Sequence, residues 1–401
     1  MIKMNLVKNI FSVLLLSVVF FGCQEPELGP TVACDFLESD VHPKGERYQE
    51  ILNTYVKRGY PGVSLLVRDS SGTWYGSAGM ADIKQGINAL PCHTFKTGSI
   101  TKNMVGALTF ALIDEGKFSL DDLASEYIDQ GIVDRIENLD KVTIRQLMNH
   151  TTGIYDVITD SDFYLEVINN PNKEWQASDL LRHIYKKEAY FKPGEYSQYS
   201  NSNTLLLSLV IEGATGASHR RLLDDKIIKK LGLSGTYYFP YHKLPNATAQ
   251  GYFDLYNDGT ITNVSNLITG DGNGYNGVYS TVFDLQTFIE ALFREKTLLS
   301  DASLSAMQVF ETPKSVVDGS DPDAGHLYGL GIFKEFTKRQ NADEWAVGHT
   351  GGDLGNAAEM YYFPNQDATF CLLINYGTNG SSSLGDFYQD FRNELVDLLM
   401  E

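Results

Sequence analysis

Short apolar runs separated by turn-forming residues occur near both ends of the chain. Residues 63–67 and 73–78, joined by the turn-forming stretch 69–72, predict a β-hairpin. Four more strands are predicted near the C-terminus, over residues 328–336, 345–349, 357–363 and 368–375, the last two joined by a turn at 364–367. Because strands come from both termini, we expect one antiparallel sheet assembled from the two ends of the chain.

Apolar residues spaced three and four positions apart predict helices between and after these strands. The predicted helices include residues 142–148, 177–185, 204–213 and 281–293, and the last helix carries Leu384, Phe387, Tyr388, Phe391, Leu395, Leu398 and Leu399 on one stripe. We therefore predict an α/β fold of the α+β type. Residues 45–119 and 276–401 would form the sheet and its flanking helices, and residues 120–275 would form a mainly helical insertion.

One further predicted helix begins at a serine and carries a lysine one turn later. Apolar residues from Ile100 to Ile113 follow a helical rhythm, and Gly116 lies where a C-cap glycine is preferred. Ser99 then lies at the helix N-terminus, and Lys102 shares its face of the helix. The helix start also favours negative charge nearby, so the pair is typical of an activated nucleophile. Taken alone, S-x-x-K is short and is more often a serine N-cap followed by a solvated lysine.

Two other stretches offer side chains that could serve such a nucleophile. In residues 191–201, a Pro-Gly turn leads to Tyr199 and Asn201 just before a predicted helix. A phenol beside Lys102 could relay a proton, and an amide could orient the lysine and the substrate. Residues 348–352 follow a predicted strand and spell Gly-His-Thr-Gly-Gly, in which the glycines let a backbone approach a peptide-like ligand. Taken singly, these stretches fit an aromatic loop and a strand end with a glycine turn.

The three motifs together resemble the serine β-lactamase and penicillin-binding protein superfamily: S-x-x-K, then Y-x-N about a hundred residues later, then H-T-G about 150 residues after that. Because the second motif begins with tyrosine, the chain is similar to the class C β-lactamase group, which includes DD-peptidases and esterases. The resemblance covers about residues 45–400 and implies a β-lactamase/transpeptidase-like fold.

The resemblance also implies a role for each motif residue. Ser99 would form an acyl-enzyme with an amide, an ester or a lactam, and Lys102 or Tyr199 would be the general base. The backbone amides of Ser99 and Gly352 would form the oxyanion hole, and Asn201 would orient the substrate. The implied substrate-binding and oxyanion residues are Asn201, His349, Thr350, Gly351 and Gly352.

His349 bears on the choice of substrate. Many β-lactamases have lysine here, which offers a standing positive charge to a substrate carboxylate, whereas histidine titrates near ~6.5. Some DD-peptidases of the group also have H-T-G. We therefore expect an enzyme similar to D-alanyl-D-alanine carboxypeptidases or an esterase, with weak β-lactam turnover. A class C-type β-lactamase and a penicillin- or peptide-binding protein without turnover are the alternatives.

Composition limits the partners and cofactors that we expect. The net charge of −19 argues against nucleic-acid binding and says nothing specific about the substrate. The resemblance implies that the ligand is a small molecule or a peptidoglycan peptide. We expect no metal or other cofactor, because no cysteine pair has metal-site spacing and the acidic residues of 254–262 are wrongly spaced for a calcium loop. Residues 96–98 spell K-T-G, but they adjoin Ser99 and so cannot form the opposite wall of a cleft.

The N-terminus resembles a bacterial lipoprotein signal. Lysines precede an apolar run over residues 10–21, which is too short to span a bilayer as a helix, and Gly-Cys follows. We expect residues 1–22 to be a signal peptide, Cys23 to be lipidated and residues 23–44 to be a tether. The protein would then be exported and anchored to a lipid bilayer, facing the periplasm or the cell exterior. An ordinary signal peptide or a short anchor is the alternative.

Three cysteines remain besides Cys23, so at least one thiol is unpaired within the chain. The three are Cys34, Cys92 and Cys371. Spacing alone leaves a bridge between Cys34 and Cys92 open, as it does the oligomeric state.

Overall fold

A computed structural model of the 401-residue chain describes residues 28–36, 41–310, 327–378, 382 and 384–401. The strands among these residues are β1 (Gly62–Asp69), β2 (Gly72–Asp82), β3 (Ile87–Asn88), β4 (Phe95–Lys96), β5 (Tyr237–Tyr238), β6 (Tyr252–Phe253), β7 (Thr262–Asn263), β8 (Val278–Ser280), β9 (Leu327–Tyr328), β10 (Phe333–Glu335), β11 (Ala346–Asp353), β12 (Asn356–Phe363) and β13 (Ala368–Ile374). The α-helices are α1 (Gly45–Lys57), α2 (Ile100–Asp114), α3 (Gln130–Val133), α4 (Ile144–Met148), α5 (Ser161–Asn169), α6 (Ala177–Leu181), α7 (Asn201–Thr215), α8 (His219–Leu223), α9 (Val282–Phe293), α10 (Asp301–Met307) and α11 (Gly385–Met400).

Eight strands form one antiparallel sheet in the order β3-β2-β1-β13-β12-β11-β10-β9. Strand β1 pairs with β2 as the predicted hairpin, and its other edge pairs with β13, so that Val63 lies opposite Ile374. The centre of the sheet therefore joins the two ends of the chain. This arrangement confirms the predicted α/β fold with a sheet assembled from both ends.

Helices cover both faces of the sheet. Successive side chains of a strand point to opposite faces, and apolar side chains occur on both. Val63, Leu65 and Val67 of β1 belong to the apolar cluster that includes α1 and α11, whereas Leu66 belongs to the cluster that includes α2 and α9. Twelve of the fifteen residues of α2 are buried. A helix that is buried on all sides lies in the core, so α2 is fixed by its surroundings.

The prediction of one strand over residues 328–336 is wrong in its middle, where the strand is interrupted and β9 and β10 form separately. Gly331 lies between them with φ of +75° and packs against Gly106 of α2. Asn103 of α2 donates a hydrogen bond to the Gly331 carbonyl (3.0 Å). Close packing against α2 therefore outweighs the local strand preference. In the opposite sense, β11 continues past the predicted strand end at residue 349 and reaches Asp353.

Between residues 120 and 275 the described elements are mainly helices joined by loops, with the short strand β5 and a small hairpin of β6 and β7. The predicted helix over 177–185 already ends at Leu181, and the helix predicted over 204–213 runs from Asn201 to Thr215. In the β6–β7 hairpin, Asp254 accepts hydrogen bonds from the amides of Asp258 and Gly259, so its carboxylate stabilises the turn.

The described N-terminal segment is held against the body of the protein. Cys34 forms a disulfide with Cys92, the pairing that the sequence left open, and Cys371 is free and buried. Thr31 also donates a hydrogen bond to the carbonyl of Thr248 (2.6 Å). Cys23 lies outside the described residues, so its lipidation stays a prediction. In the part of the chain that is described, the helices lack the combination of length and hydropathy that crossing a bilayer needs.

Candidate active site

Ser99 lies at the start of α2, where the chain turns in from β4. Gly98, with φ of +54°, makes this turn, and Ser99 already has helical dihedral angles. One turn along the helix, Lys102 Nζ lies 2.8 Å from Ser99 Oγ. The predicted contact between amine and hydroxyl is therefore present, on a helix that its packing holds rigid.

Three oxygen atoms surround the Lys102 amine. Besides Ser99 Oγ, they are Asn201 Oδ1 at 2.8 Å and the carbonyl oxygen of Tyr275 at 3.0 Å. A neutral amine can donate its two hydrogens to the two carbonyl oxygens, which leaves its lone pair directed at the serine hydroxyl. Burial lowers the pKa of Lys102 to about 7, against the opposing charges of Asp156 and Asp353. A large fraction of the amine is therefore neutral at pH 7.

Asp156 fixes the orientation of Asn201, and sequence reasoning missed it. Its carboxylate accepts hydrogen bonds from the Asn201 backbone N–H (3.0 Å) and from Asn201 Nδ2 (3.1 Å). With Nδ2 held by Asp156, Oδ1 must face Lys102. Burial raises the pKa of Asp156 to about 6, partly offset by Lys102 and by these hydrogen bonds. Asp156 occupies a loop 54 residues beyond Lys102, and no spacing in the sequence connects the two.

Tyr199 also lies at the nucleophile, with its ring centroid 4.9 Å from Lys102 Nζ. Burial raises the pKa of its phenol well above the usual range, although nearby Ser99 acts in the opposite direction. The phenol oxygen makes no well-formed hydrogen bond to the described residues. The phenol of Tyr199 is therefore protonated at neutral pH.

The ring of His150 packs against the ring of Tyr199. Their ring centroids are 4.5 Å apart, and His150 Nδ1 lies 3.3 Å from the Ser200 amide and 3.1 Å from Asn203 Nδ2. Burial and the nearby Lys102 lower the pKa of His150 well below its usual value, so the ring is neutral. The His150 ring therefore packs directly against a motif residue.

Strand β11 brings a second backbone segment next to Ser99. A Cβ atom on Gly351 would lie 1.9 Å from the carbonyl oxygen of Thr97, and one on Gly98 would lie 2.7 Å from the Gly352 nitrogen. Only glycine permits this approach, which places the Gly352 amide beside the chain that leads into Ser99. The two amides expected to form an oxyanion hole are therefore on adjacent segments.

His349 and Thr350 point to opposite faces of the sheet. The His349 ring is buried, stacks on Phe333 at 4.2 Å between centroids and lies 6.4 Å from the Tyr199 ring. Thr350 Oγ1 instead donates to the Ala358 carbonyl (3.3 Å), beneath the terminal helix. The structure thus brings His349 to the site but directs the Thr350 side chain away from Ser99, because side chains alternate along a strand.

Lys96, from the K-T-G that the sequence argument set aside, lies in a buried ionic cluster. Its amine contacts Asp271 (2.8 Å) and Asp353, the residue after Gly352. The two carboxylates raise the pKa of Lys96 well above its usual value despite burial, so it is charged. The cluster therefore ties the strand before Ser99 to the strand end that carries Gly352.

Ser99 opens on a cavity of about 390 Å³, within the range of small-molecule sites. The described residues that line it are Ser99, Ile158, Tyr164, Asn201, Phe253, Asp254, Leu255, Asn257, Thr269, Tyr275, Asn276, Gly352, Asp353 and Leu354. A substrate carbonyl bound here can meet a hydroxyl, an amine that is partly neutral at pH 7 and main-chain donors together.

Known proteins share this fold. The D-stereospecific amidohydrolase from Streptomyces sp. aligns with a TM-score of 0.72 and 28% identity, covering 83% of this chain and 94% of that one. The D-amino acid amidase from Ochrobactrum anthropi SV3, in complex with L-phenylalanine amide, aligns with a TM-score of 0.76 and 21% identity, covering 88% and 97%. These likenesses confirm a β-lactamase/transpeptidase-like fold.

Sequence comparison adds a shorter match to a known protein and a longer match to a family model. Protein flp of Staphylococcus aureus (strain MW2) is 28% identical over 193 residues, which are 48% of this chain and 38% of flp. The chain thus matches well under two thirds of the length of that relative. The model of the Beta-lactamase family matches residues 45–392, which span most of the chain and all three motifs. The protein is therefore a member of the beta-lactamase family.

Proposed function

We propose that the protein hydrolyses an amide or ester through an acyl-enzyme on Ser99. The hydroxyl oxygen attacks the carbonyl carbon while its proton passes to Lys102. The C–N or C–O bond then breaks, and Lys102 returns the proton through Tyr199 to the leaving group. Water cleaves the acyl-enzyme, releases the acid and restores the serine hydroxyl.

The observation that carries this proposal is the set of three oxygens around Lys102. Two are carbonyl oxygens that accept the hydrogens of a neutral amine, so the lone pair faces Ser99 Oγ at 2.8 Å. The pKa of Lys102, lowered to about 7, keeps a large share of the amine ready to accept the serine proton at neutral pH. The raised pKa of Tyr199 keeps its phenol protonated, and its place beside Lys102 suits it to relay a proton from that lysine to the leaving group.

The oxyanion is stabilised by the amides of Ser99 and Gly352. The close approach of the two segments at Gly98 and Gly351 supports this assignment. Removing one donor from such a hole typically slows the reaction by ~10²–10³-fold. Asn201 orients the substrate and the lysine, and His349 contributes to binding from beside Tyr199.

For the substrate, we propose a D-alanyl-D-alanine-like peptide or an ester. The likeness to a D-stereospecific amidohydrolase, which is 28% identical, adds amides of D-amino acids as a second candidate. A β-lactamase is disfavoured because His349 stands where many such enzymes have a permanently charged lysine. A binding protein without turnover is disfavoured because every reacting side chain is in place.

A substrate panel tests the proposal. Purified wild type and Ser99→Ala are compared on a p-nitrophenyl ester, a D-amino acid p-nitroanilide, a D-Ala-D-Ala peptide and nitrocefin. We expect turnover of an ester or amide, slow nitrocefin hydrolysis and a loss of about 10⁴-fold or more in Ser99→Ala. Turnover that persists in Ser99→Ala would refute the nucleophile. A stable fluorescent-penicillin adduct with no turnover of any donor would favour the binding protein.

We also propose that the protein is exported and lipid-anchored through Cys23. The N-terminal pattern supports this, as does the disulfide between Cys34 and Cys92, because disulfides persist in oxidising compartments. In a bacterial host, metabolic labelling with an alkyne fatty acid should mark the wild type and not Cys23→Ser. Equal labelling of both would contradict the anchor.

A further inference from the structure

The cavity beside Ser99 is lined by apolar side chains and by no cation among the described residues. Ile158, Tyr164, Phe253, Leu255 and Leu354 come from four separate segments and give the lining its apolar side chains, beside the polar residues named above. No lysine, arginine or histidine is among the described lining residues. A substrate group that enters this space therefore meets apolar surface first.

The carboxylates at the cavity are already engaged. Asp353 pairs with Lys96 and accepts hydrogen bonds from Thr269 (2.8 Å) and Asn276 (2.8 Å). Asp254 accepts from the amides that follow it in the β6–β7 turn. Because an ionised carboxylate has no hydrogen to donate, these groups add negative potential and offer no partner to an anion.

The amine that is near, Lys102, is engaged as well. Its three hydrogen-bond partners are the serine hydroxyl and two carbonyl oxygens, and burial lowers its pKa to about 7. A substrate carboxylate would lose hydration on entering the cavity and would gain no cation in return. Burying a charge without a partner is strongly unfavourable.

We propose that the substrate group held in this cavity is apolar, aromatic or branched aliphatic, and carries no negative charge. This inference rests on the proposed function and narrows it towards esters and amides of neutral donors. A volume of about 390 Å³ accommodates a group of that size. A donor that must place a carboxylate in the cavity, as a carboxypeptidase substrate could, is excluded.

Two matched pairs of substrates test the charge preference. On the acyl side, p-nitrophenyl 4-phenylbutanoate is compared with p-nitrophenyl hydrogen glutarate. On the leaving-group side, N-acetyl-D-alanyl-D-phenylalanine amide is compared with the same dipeptide bearing a free carboxylate. In the pair whose variable group enters the cavity, we expect kcat/KM to be at least about tenfold higher for the neutral member.

A pair of variants locates the preference in the cavity. Leu255→Arg places a cation in the lining, whereas Tyr256→Arg adds the same charge one residue away, at a side chain that is 74% exposed and outside the lining. We expect Leu255→Arg to shift the ratio of kcat/KM values towards the carboxylate member by about fivefold, the effect of one modest ion pair. Tyr256→Arg should leave the ratio unchanged.

Failure of the inference and failure of the proposed function give different results. Ser99-dependent turnover that favours the carboxylate member of each pair would overturn the inference alone. Equal shifts in Leu255→Arg and Tyr256→Arg would also overturn it, because the charge would then act from a distance. If none of the four donors shows Ser99-dependent turnover, the proposed function fails, and the inference fails with it.

Discussion

Replacing Asp156 with asparagine tests how the protein tunes the Lys102 amine. The carboxylate of Asp156 holds the Asn201 amide, and the oxygen of that amide faces Lys102. Asparagine keeps the size of the side chain but removes its negative charge. Because a nearby negative charge stabilises the ammonium form, its loss lowers the pKa of Lys102. The free amine then persists to lower pH.

The magnitude follows from the geometry. Asp156 and Lys102 are separated by one amide group and two hydrogen bonds, so their charges lie roughly 7 Å apart. At an effective dielectric constant of ~20, two unit charges at that distance interact by about 2 kcal/mol. This energy corresponds to about 1.5 pKa units. The introduced asparagine also has an NH₂ group where the carboxylate had an oxygen, so one N–H of Asn201 loses its acceptor. This loss should lower kcat/KM on its high-pH plateau by about tenfold.

The assay is the pH dependence of kcat/KM for a neutral ester. For the wild type, kcat/KM should rise with pH through the Lys102 pKa of about 7, because the amine must be neutral to act as base. In Asp156→Asn, we expect this rise to move to about pH 5.5, by the ~1.5 units derived above.

Asp160→Asn is the matched control for this experiment. Asp160 is also buried in the same loop, but its carboxylate contacts His183 and Lys187 and has no hydrogen bond to Asn201. The apparent pKa of kcat/KM in Asp160→Asn should stay near the wild-type value. A lower plateau in Asp156→Asn with no change in apparent pKa would refute the electrostatic reasoning, since a purely structural defect has that effect.

Three further predictions concern stability and the oxyanion segment. Between about pH 7 and pH 10.5, Lys102 binds fewer protons in the folded protein than in the unfolded chain. The free energy of unfolding of the wild type, relative to that of Lys102→Met, should therefore rise by about 4 kcal/mol over this range. Urea titrations at about pH 7 and pH 10.5 measure the change. Gly351→Ala places a methyl group against the Thr97 carbonyl and should lower kcat by about 10²-fold or more, because the oxyanion donors separate; wild-type kcat would contradict this placement. Lys96→Met leaves two buried carboxylates unpaired and should destabilise the fold by about 3–5 kcal/mol at pH 7; an unchanged denaturation midpoint would contradict the buried cluster.

The sequence was most informative where local pattern and tertiary packing agree. The hairpin of β1 and β2, the helix after Ser99 and the stripe of α11 each show the periodicity of their secondary structure, and the structure contains all three. Lys102 was predictable as a partner of Ser99 because three residues along a helix fix their separation.

Features that depend on contacts between distant segments were not predictable in this way. The break in the strand at Gly331 arises because that residue packs against α2, which local preference cannot reveal. Asp156 acts through Asn201, 45 residues away, and nothing in the spacing indicates the contact. The K-T-G that contains Lys96 adjoins Ser99, and so its position in the sequence predicts no role at the site. In the structure, the Lys96 charge joins the two halves of the proposed oxyanion hole.

The base role of Lys102 is tested most directly by the pH dependence of acyl-enzyme formation on Ser99. Burst kinetics with a p-nitrophenyl ester, combined with intact mass and peptide mapping, give the rate and the site of acylation. We predict one acyl group on Ser99, none in Ser99→Ala, and a rate that rises through a single ionisation near 7. An adduct at another residue, or a rate that keeps rising to about pH 10 as for an ordinary lysine, would contradict this assignment.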